Sequence, residues 1–130
     1  MTRLANVERA GYFPLPLSVT KLICSHITAT KDGRILDPCA GEGTALVTLA
    51  EKLDLDPFGV ELHEGRAKAA REAVGQLLVS RHGSDKGDAA APHGTRILHD
   101  SYLSLVTSRG GYNLLYLNPP YDHDDEDGRL

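Results

Sequence analysis

Four consecutive residues at 118–121, Asn-Pro-Pro-Tyr, carry the groups needed to hold a planar amine for alkylation. The nitrogen of such an amine is a poor nucleophile because its lone pair is delocalised. Two acceptors placed on its N–H bonds would favour the geometry and the charge of the attacking state. Asn118 offers a side-chain oxygen, and Pro119 offers a main-chain carbonyl. Pro120 stiffens the loop, and Tyr121 offers a flat face on which a base could stack. A plain turn is the alternative, since Asn-Pro and Pro-Pro commonly mark turns.

A glycine-rich stretch, DPCAGEGTAL at 37–46, is the second candidate for chemistry. Gly41 and Gly43 permit a tight turn, and a helix beginning after them would direct free N–H groups at a ligand. An ordinary strand–helix turn would have the same pattern. A dinucleotide site, as in a nucleotide-binding oxidoreductase, would need glycine where Leu46 stands, and Asp37 would repel its diphosphate. Because Asp37 suits an ammonium group instead, we expect a nucleoside that carries an amino acid.

Short apolar runs alternate with helical patterns, and this predicts the elements that position these residues. The predicted strands are 34–37, 58–61, 95–100 and 113–117. A first helix is predicted after a cap at Ser18, with an apolar face of Val19, Leu22, Ile23 and Ile27. A second is predicted to begin near Thr44, with a stripe of Leu46, Leu49, Ala50 and Leu53. A third has a stripe of Ala67, Ala70, Val74, Leu77 and Leu78, and a short helix is predicted near 101–108.

Strand–helix alternation with near-continuous apolar strands predicts an α/β fold with a Rossmann-like, doubly wound parallel sheet. In such sheets, ligands bind beyond the carboxyl ends of the strands. One polar residue stands at the carboxyl end of each predicted strand: Asp37, Glu61, Asp100 and Asn118. We therefore expect these four side chains to meet at one rim of the sheet.

The stretch DPCAGEG resembles the first motif of the class I S-adenosylmethionine-dependent methyltransferases. NPPY resembles the (D/N)PP(Y/F) motif of the amino-methyltransferases, above all the DNA adenine-N6 group, although the motif also serves enzymes acting on guanine in ribosomal RNA and on glutamine in release factors. GYFPLP at 11–16 is similar to the aromatic-proline element before the first helix of many DNA amino-methyltransferases. A loop packed down by aromatic residues would also explain it. The order, with NPPY last, fits the adenine-N6 arrangement best.

The resemblance implies S-adenosyl-L-methionine as the cofactor and assigns a role to each motif. The residues implied to bind it are Tyr12, Phe13, Asp37, Cys39, Ala40, Gly41, Gly43, Glu61 and Asp100. The residues implied to embrace the target amine are Asn118, Pro119, Pro120 and Tyr121. Asp37 and the loop 39–43 would hold the methionine part, Glu61 both ribose hydroxyls, and Asp100 the adenine amino group. Taken alone, Glu61 would suit a helix start and Asp100 would suit an N-cap.

The family fold has seven strands, so we expect the chain to correspond to its amino-terminal half, truncated after the fourth strand. Strand 113–117 would then be an apolar edge, which favours association. We expect a DNA substrate that needs additional protein surface, and a second polypeptide or another copy of the chain at the fourth-strand edge. A cofactor-binding or assembly module that does not catalyse alone is the alternative function.

Composition limits the other classes of function. The formal net charge of −4 and the absence of a basic run are unlike a protein that binds nucleic acid mainly through phosphates. The six histidines form no HxH or HExxH spacing, so we expect no metal site. Cys24 and Cys39 are not spaced as metal ligands, and we find neither a signal peptide nor a membrane span. We therefore expect a cytoplasmic protein.

We expect one partial domain over residues 1–130. Its predicted parts are an aromatic-proline segment and helix at 1–30, a cofactor-binding βαβα unit at 31–81, a flexible loop at 82–94, the third and fourth strands with NPPY at 95–121, and an acidic tail at 122–130.

Overall fold

The computed structural model describes residues 14–83 and 96–119. Its helices are α1 (Leu17–Ser25), α2 (Thr44–Leu53) and α3 (Glu64–His82), and its strands are β1 (Arg34–Asp37), β2 (Asp56–Glu61), β3 (Ile97–His99) and β4 (Leu114–Leu115). A 3-10 turn, Tyr102–Ser104, lies between β3 and β4. Most of the predicted loop at 82–94 and all of the predicted acidic tail at 122–130 lie outside the described residues.

The four strands form one parallel sheet in the order β3-β2-β1-β4. This confirms the prediction of an α/β, Rossmann-like arrangement. The first strand has its predicted bounds, and the second begins two residues earlier than predicted, at Asp56. The third and fourth strands are shorter than predicted, and the short helix is a single 3-10 turn. Because all four strands run in one direction, their carboxyl ends lie at the same edge of the sheet.

Helices α2 and α3 pack on one face of the sheet and form the core with it. Side chains alternate between faces along a strand, so the paired residues Ile35 of β1 and Leu114 of β4 share this face. The helices contribute their predicted apolar stripes to this core, and the fully buried residues of these stripes include Leu46, Leu49 and Val74. Burying a side chain of this size contributes about 1.5–3 kcal/mol to folding.

Side-chain hydrogen bonds secure both ends of α3. The His63 side chain accepts a hydrogen bond from the Arg66 main chain at the start of α3, and Glu64 complements the dipole there. At the other end of α3, Arg81 donates two hydrogen bonds of 2.7 Å to the carbonyls of Leu55 and Ala50. Arg81 thereby ties the end of α3 to the end of α2 and to the residue that precedes β2.

The prediction for the first helix is wrong in two respects. The helix begins at Leu17 with Pro16 at the N-cap, so Ser18 lies within the first turn and does not cap it. The inward side is correct only in part: Ile23 packs against the core as predicted, but Thr20 is 1% exposed and Leu22 is 60% exposed. A polar Thr20 can be buried because its hydroxyl donates to the Pro16 carbonyl at 3.3 Å. Hydrophobic periodicity did not indicate this, because it scores threonine as polar.

The second face of the sheet is apolar as well. The strand register places five apolar side chains on it: Leu36, Phe58, Val60, Leu98 and Leu115. Leu98 and Leu115, on the edge strands β3 and β4, are 45% and 58% exposed, whereas Val60 on the inner strand β2 is buried. A parallel sheet with apolar residues on both faces is normally covered on both.

No helix among the described residues is long and apolar enough to cross a membrane. Across residues 14–83 and 96–119, no three His, Cys, Asp or Glu side chains are grouped so that they could hold a metal ion.

Candidate active site

The carboxyl ends of all four strands border one pocket of about 290 Å³. This is close to the lower end of the size of small-molecule sites, about 300–1,000 Å³. Seven of the predicted site residues line it: Asp37, Cys39, Ala40, Glu61, Asp100, Asn118 and Pro119. The first three strand ends and the Asn-Pro pair are therefore brought together in the structure.

Two further predicted site residues are described, and neither is among those that line the pocket. Gly41 and Gly43 shape the loop without bordering the cavity. Tyr12, Phe13, Pro120 and Tyr121 lie outside the described residues.

The glycine loop between β1 and α2 needs both of its glycines. Gly41 and Gly43 have φ values of 57° and 83°, in the left-handed region that side chains disfavour. A Cβ on Gly43 would also lie 3.0 Å from the Cα of Ala70, because the loop packs directly against α3. From Gly43, α2 begins without a side-chain cap, and its first residues Thr44 and Ala45 line the pocket. The N-terminus of α2 thus contributes partial positive charge to the pocket.

Asp37 is the most deeply buried acid of the pocket, with 1% of its surface exposed. The pKa of its carboxyl is raised from 3.8 to about 7, mainly by burial and to a smaller extent by the negative charge of Glu61. The N–H of Cys39 donates to Asp37 Oδ1 at 3.1 Å, which lowers the pKa in part. A cation placed against Asp37 would stabilise the charged form, so the site favours a positively charged group.

Cys39 lies in the same loop, and its thiol is held in the protonated form. Its pKa is raised to about 11, mainly by burial and in part by the negative charges of Asp37 and Glu61. A thiol of this kind is a weak nucleophile.

Glu61, at the end of β2, receives hydrogen bonds from three residues. Its Oε2 accepts from the Gly41 N–H at 2.7 Å. Its Oε1 accepts from the His63 N–H at 3.0 Å and from Arg66 Nε at 3.1 Å. Glu61 therefore ties the glycine loop to the start of α3, and it also lines the pocket.

Asp100, at the end of β3, does not cap the short helix. Ser101 is the N-cap, because its hydroxyl accepts from the Leu103 N–H. Asp100 accepts from the adjacent Ser101 N–H at 2.6 Å and donates its own N–H to the Glu61 carbonyl at 3.1 Å. The second and third strand ends are thus joined, with both carboxyl groups at the pocket.

Asn118 and Pro119 follow β4 on the other side of β1. The Tyr116 N–H donates to the Leu36 carbonyl at 2.9 Å, which fixes the chain beside β1 two residues before Asn118. Asn118 and Pro119 then border the same cavity as Asp37. A planar amine in this cavity would meet neutral oxygen acceptors on one side and carboxylates on the other.

Eleven pocket residues were not among the predicted site residues: Pro14, Leu15, Pro38, Thr44, Ala45, Leu62, His63, Arg66, Ser101, Tyr102 and Tyr116. Most follow a strand end directly, so extending each polar strand end by two residues would have found Leu62, His63, Ser101 and Tyr102. Pro14 and Leu15 belong to the aromatic-proline segment, where the prediction selected the preceding aromatic pair. Neither a strand end nor a motif in the sequence indicates Arg66, since its place at the pocket depends on the first turn of α3.

Over residues 1–128, the chain matches an uncharacterised methyltransferase family (DUF6094). A comparison with the curated proteins gives no match.

Proposed function

The chain belongs to this methyltransferase family, and we propose that it is an S-adenosyl-L-methionine-dependent N-methyltransferase that methylates the N6 amine of adenine in DNA. One observation carries the proposal. The acids Asp37, Glu61 and Asp100 line the same pocket as Asn118 and Pro119. In our proposal the acids bind the charged nucleoside and the Asn-Pro pair binds the amine, and their shared pocket supports this arrangement.

The residues of the pocket fit an amino-acid-bearing nucleoside. At one side, buried Asp37 suits an α-ammonium group, and the uncapped N-terminus of α2 suits the carboxylate beside it. At the other side, Glu61 and Asp100 present acceptors for hydroxyl and amino groups, and Leu62 offers apolar surface. S-adenosyl-L-methionine would supply a methyl group made electrophilic by its sulfonium.

The amine end requires orientation more than a base. Asn118 Oδ1 and the Pro119 carbonyl are neutral acceptors that would align two N–H bonds and stabilise the positive charge that develops on nitrogen. The proton becomes acidic once the nitrogen is charged, so none of the pocket residues needs to act as a strong base. The adenine would be flipped out of its stack to reach the pocket, and Tyr121 is proposed as the surface on which it stacks.

The choice of DNA adenine rests on the NPPY motif and on the order of motifs along the chain. A methyl-transfer assay with labelled S-adenosyl-L-methionine should therefore compare duplex DNA, single-stranded RNA and a glutamine-containing peptide. We expect transfer to DNA, with the label recovered in N6-methyladenine. Label recovered only from RNA or peptide would contradict the DNA assignment and leave the amine chemistry in place.

The Asn118→Ala variant tests the amine site. Removing a preorganised group of this kind costs about a hundredfold to a thousandfold in rate. The matched control is Asn113→Ala at the amino end of β4, where Asn113 Oδ1 accepts from the Arg34 N–H at 2.8 Å, far from the pocket. Asn113→Ala should lower stability without a comparable loss of rate per folded molecule. Equal rates for Asn118→Ala and wild type would remove NPPY from the mechanism.

A second candidate is a module that binds the cofactor or a partner without catalysis. The exposure of Leu98 and Leu115 on the second face of the sheet favours it, since an apolar sheet face is suited to association. In this case the chain would bind S-adenosylhomocysteine, transfer no methyl group alone, and sediment as an assembly. A monomer at high concentration that transfers methyl groups would contradict this candidate.

A further inference from the structure

Arg66 lies in the first turn of α3 and borders the pocket, although no motif includes it. Its Nε donates to Glu61 Oε1 at 3.1 Å, and its side chain is 14% exposed. The pair is therefore largely shielded from solvent, where an ion pair with good geometry is screened less than at the surface.

The Glu61 carboxylate needs such a partner because its terminal torsion is otherwise loosely defined. The last torsion of a glutamate side chain has broad, roughly two-fold preferences. With Arg66 and the His63 N–H on Oε1, the other oxygen is directed at the Gly41 N–H, 2.7 Å away. Without Arg66, two neutral main-chain donors would hold the carboxylate, one on each oxygen, and the charged donor on Oε1 would be lost.

We propose that Arg66 is a positioning residue for nucleoside binding. It fixes the Glu61 carboxylate, which then both orders the glycine loop and faces the ribose hydroxyls. The part concerning ribose rests on the proposed function, whereas the link from Arg66 through Glu61 to Gly41 does not. Arginine suits this role because its guanidinium is planar, stays charged and donates from a fixed direction, whereas lysine offers a rotating point charge.

Helix α3 contains a matched control. Arg71 Nε also donates a hydrogen bond of 3.1 Å, but to the main-chain carbonyl of Ile97, and Arg71 does not border the pocket. Replacing either arginine by methionine keeps an unbranched, helix-compatible side chain and removes one such hydrogen bond.

The first measurement needs no ligand. Amide hydrogen exchange at Gly41 should be at least about tenfold faster in Arg66→Met than in wild type, because a hydrogen bond to a charged acceptor has lost its orientation. Exchange at Gly41 in Arg71→Met should equal that of wild type. Unchanged exchange in Arg66→Met, or equal acceleration in both variants, would overturn the proposal.

The second measurement is calorimetric titration with S-adenosylhomocysteine. Arg66→Met should bind about tenfold to hundredfold more weakly than wild type and Arg71→Met, with Arg66→Lys in between. When Glu61→Gln is already present, adding Arg66→Met should weaken binding of S-adenosylhomocysteine by less than about twofold, since the two residues act as one unit. Full additivity of the two losses would contradict action through Glu61. No binding by wild type would contradict the proposed function and the ribose role together, while exchange at Gly41 would still decide the link to the loop.

Discussion

Replacing Asp37 by asparagine should stabilise the protein, and the gain should increase with pH. The carboxyl is 1% exposed, and its pKa is raised from 3.8 to about 7 in the folded state. The variant keeps a side-chain oxygen that can accept from the Cys39 N–H, so it removes the charge and little else.

The size of the effect follows from proton linkage. Because the folded state binds the Asp37 proton more tightly than the unfolded state, stability from this group is complete below about pH 4 and is lost as pH rises to 7. A shift from 3.8 to about 7 corresponds to about 4 kcal/mol. The unfolding free energy of Asp37→Asn should exceed that of wild type by under about 1 kcal/mol at pH 4, and by up to about 4 kcal/mol at pH 8.

Urea unfolding of both proteins at four pH values between 4 and 8 measures this difference. The same variant should bind S-adenosylhomocysteine at least about tenfold more weakly at pH 8, because the ammonium group loses a charged partner. Greater stability with weaker binding would identify Asp37 as a residue kept for the ligand at a cost to the fold. A variant less stable than wild type at pH 8, or a gap that does not change with pH, would refute the reasoning.

Further variants test the packing around the pocket. Gly43→Ala should destabilise the fold by about 2 kcal/mol or more, since it places a side chain at φ 83° and only 3.0 Å from the backbone of α3. Gly75→Ala, in the interior of α3 with open space around it, should instead stabilise the fold by about 0.5–1 kcal/mol, and urea unfolding compares the two. Arg81→Met should lower the free energy of unfolding by about 2–3 kcal/mol in the same assay, because the carbonyls of Ala50 and Leu55 lose two charge-assisted hydrogen bonds. An unchanged urea midpoint would mean that water replaces these hydrogen bonds without cost.

The sheet and the shared rim were predictable because both depend on short-range patterns. An apolar run that ends in a polar residue marks a strand end, and parallel strands place such ends at one edge. This was sufficient to place Asp37, Glu61, Asp100 and Asn118 around a single pocket. The roles of these residues toward ligands stay predictions.

What the sequence did not reveal depends on side-chain hydrogen bonds. Thr20 is buried because its hydroxyl bonds within its own helix, and Ser101 caps the 3-10 turn in place of Asp100. The hydrogen bond from Gly41 to Glu61 requires two segments 20 residues apart to meet, which no local pattern encodes. Polar contacts between segments that are distant in sequence are settled by packing, so they became visible only in the structure.

Titration of the labelled protein with S-adenosylhomocysteine, followed by amide-resolved nuclear magnetic resonance, tests the central claim most directly. If the strand ends form the nucleoside site, the largest shifts will fall on the amides of 39–44, 61–63 and 100–102, with a smaller effect at Asn118. Shifts confined to another surface, such as the groove beside Lys21 and Lys52, or no shifts from a folded protein, would contradict it.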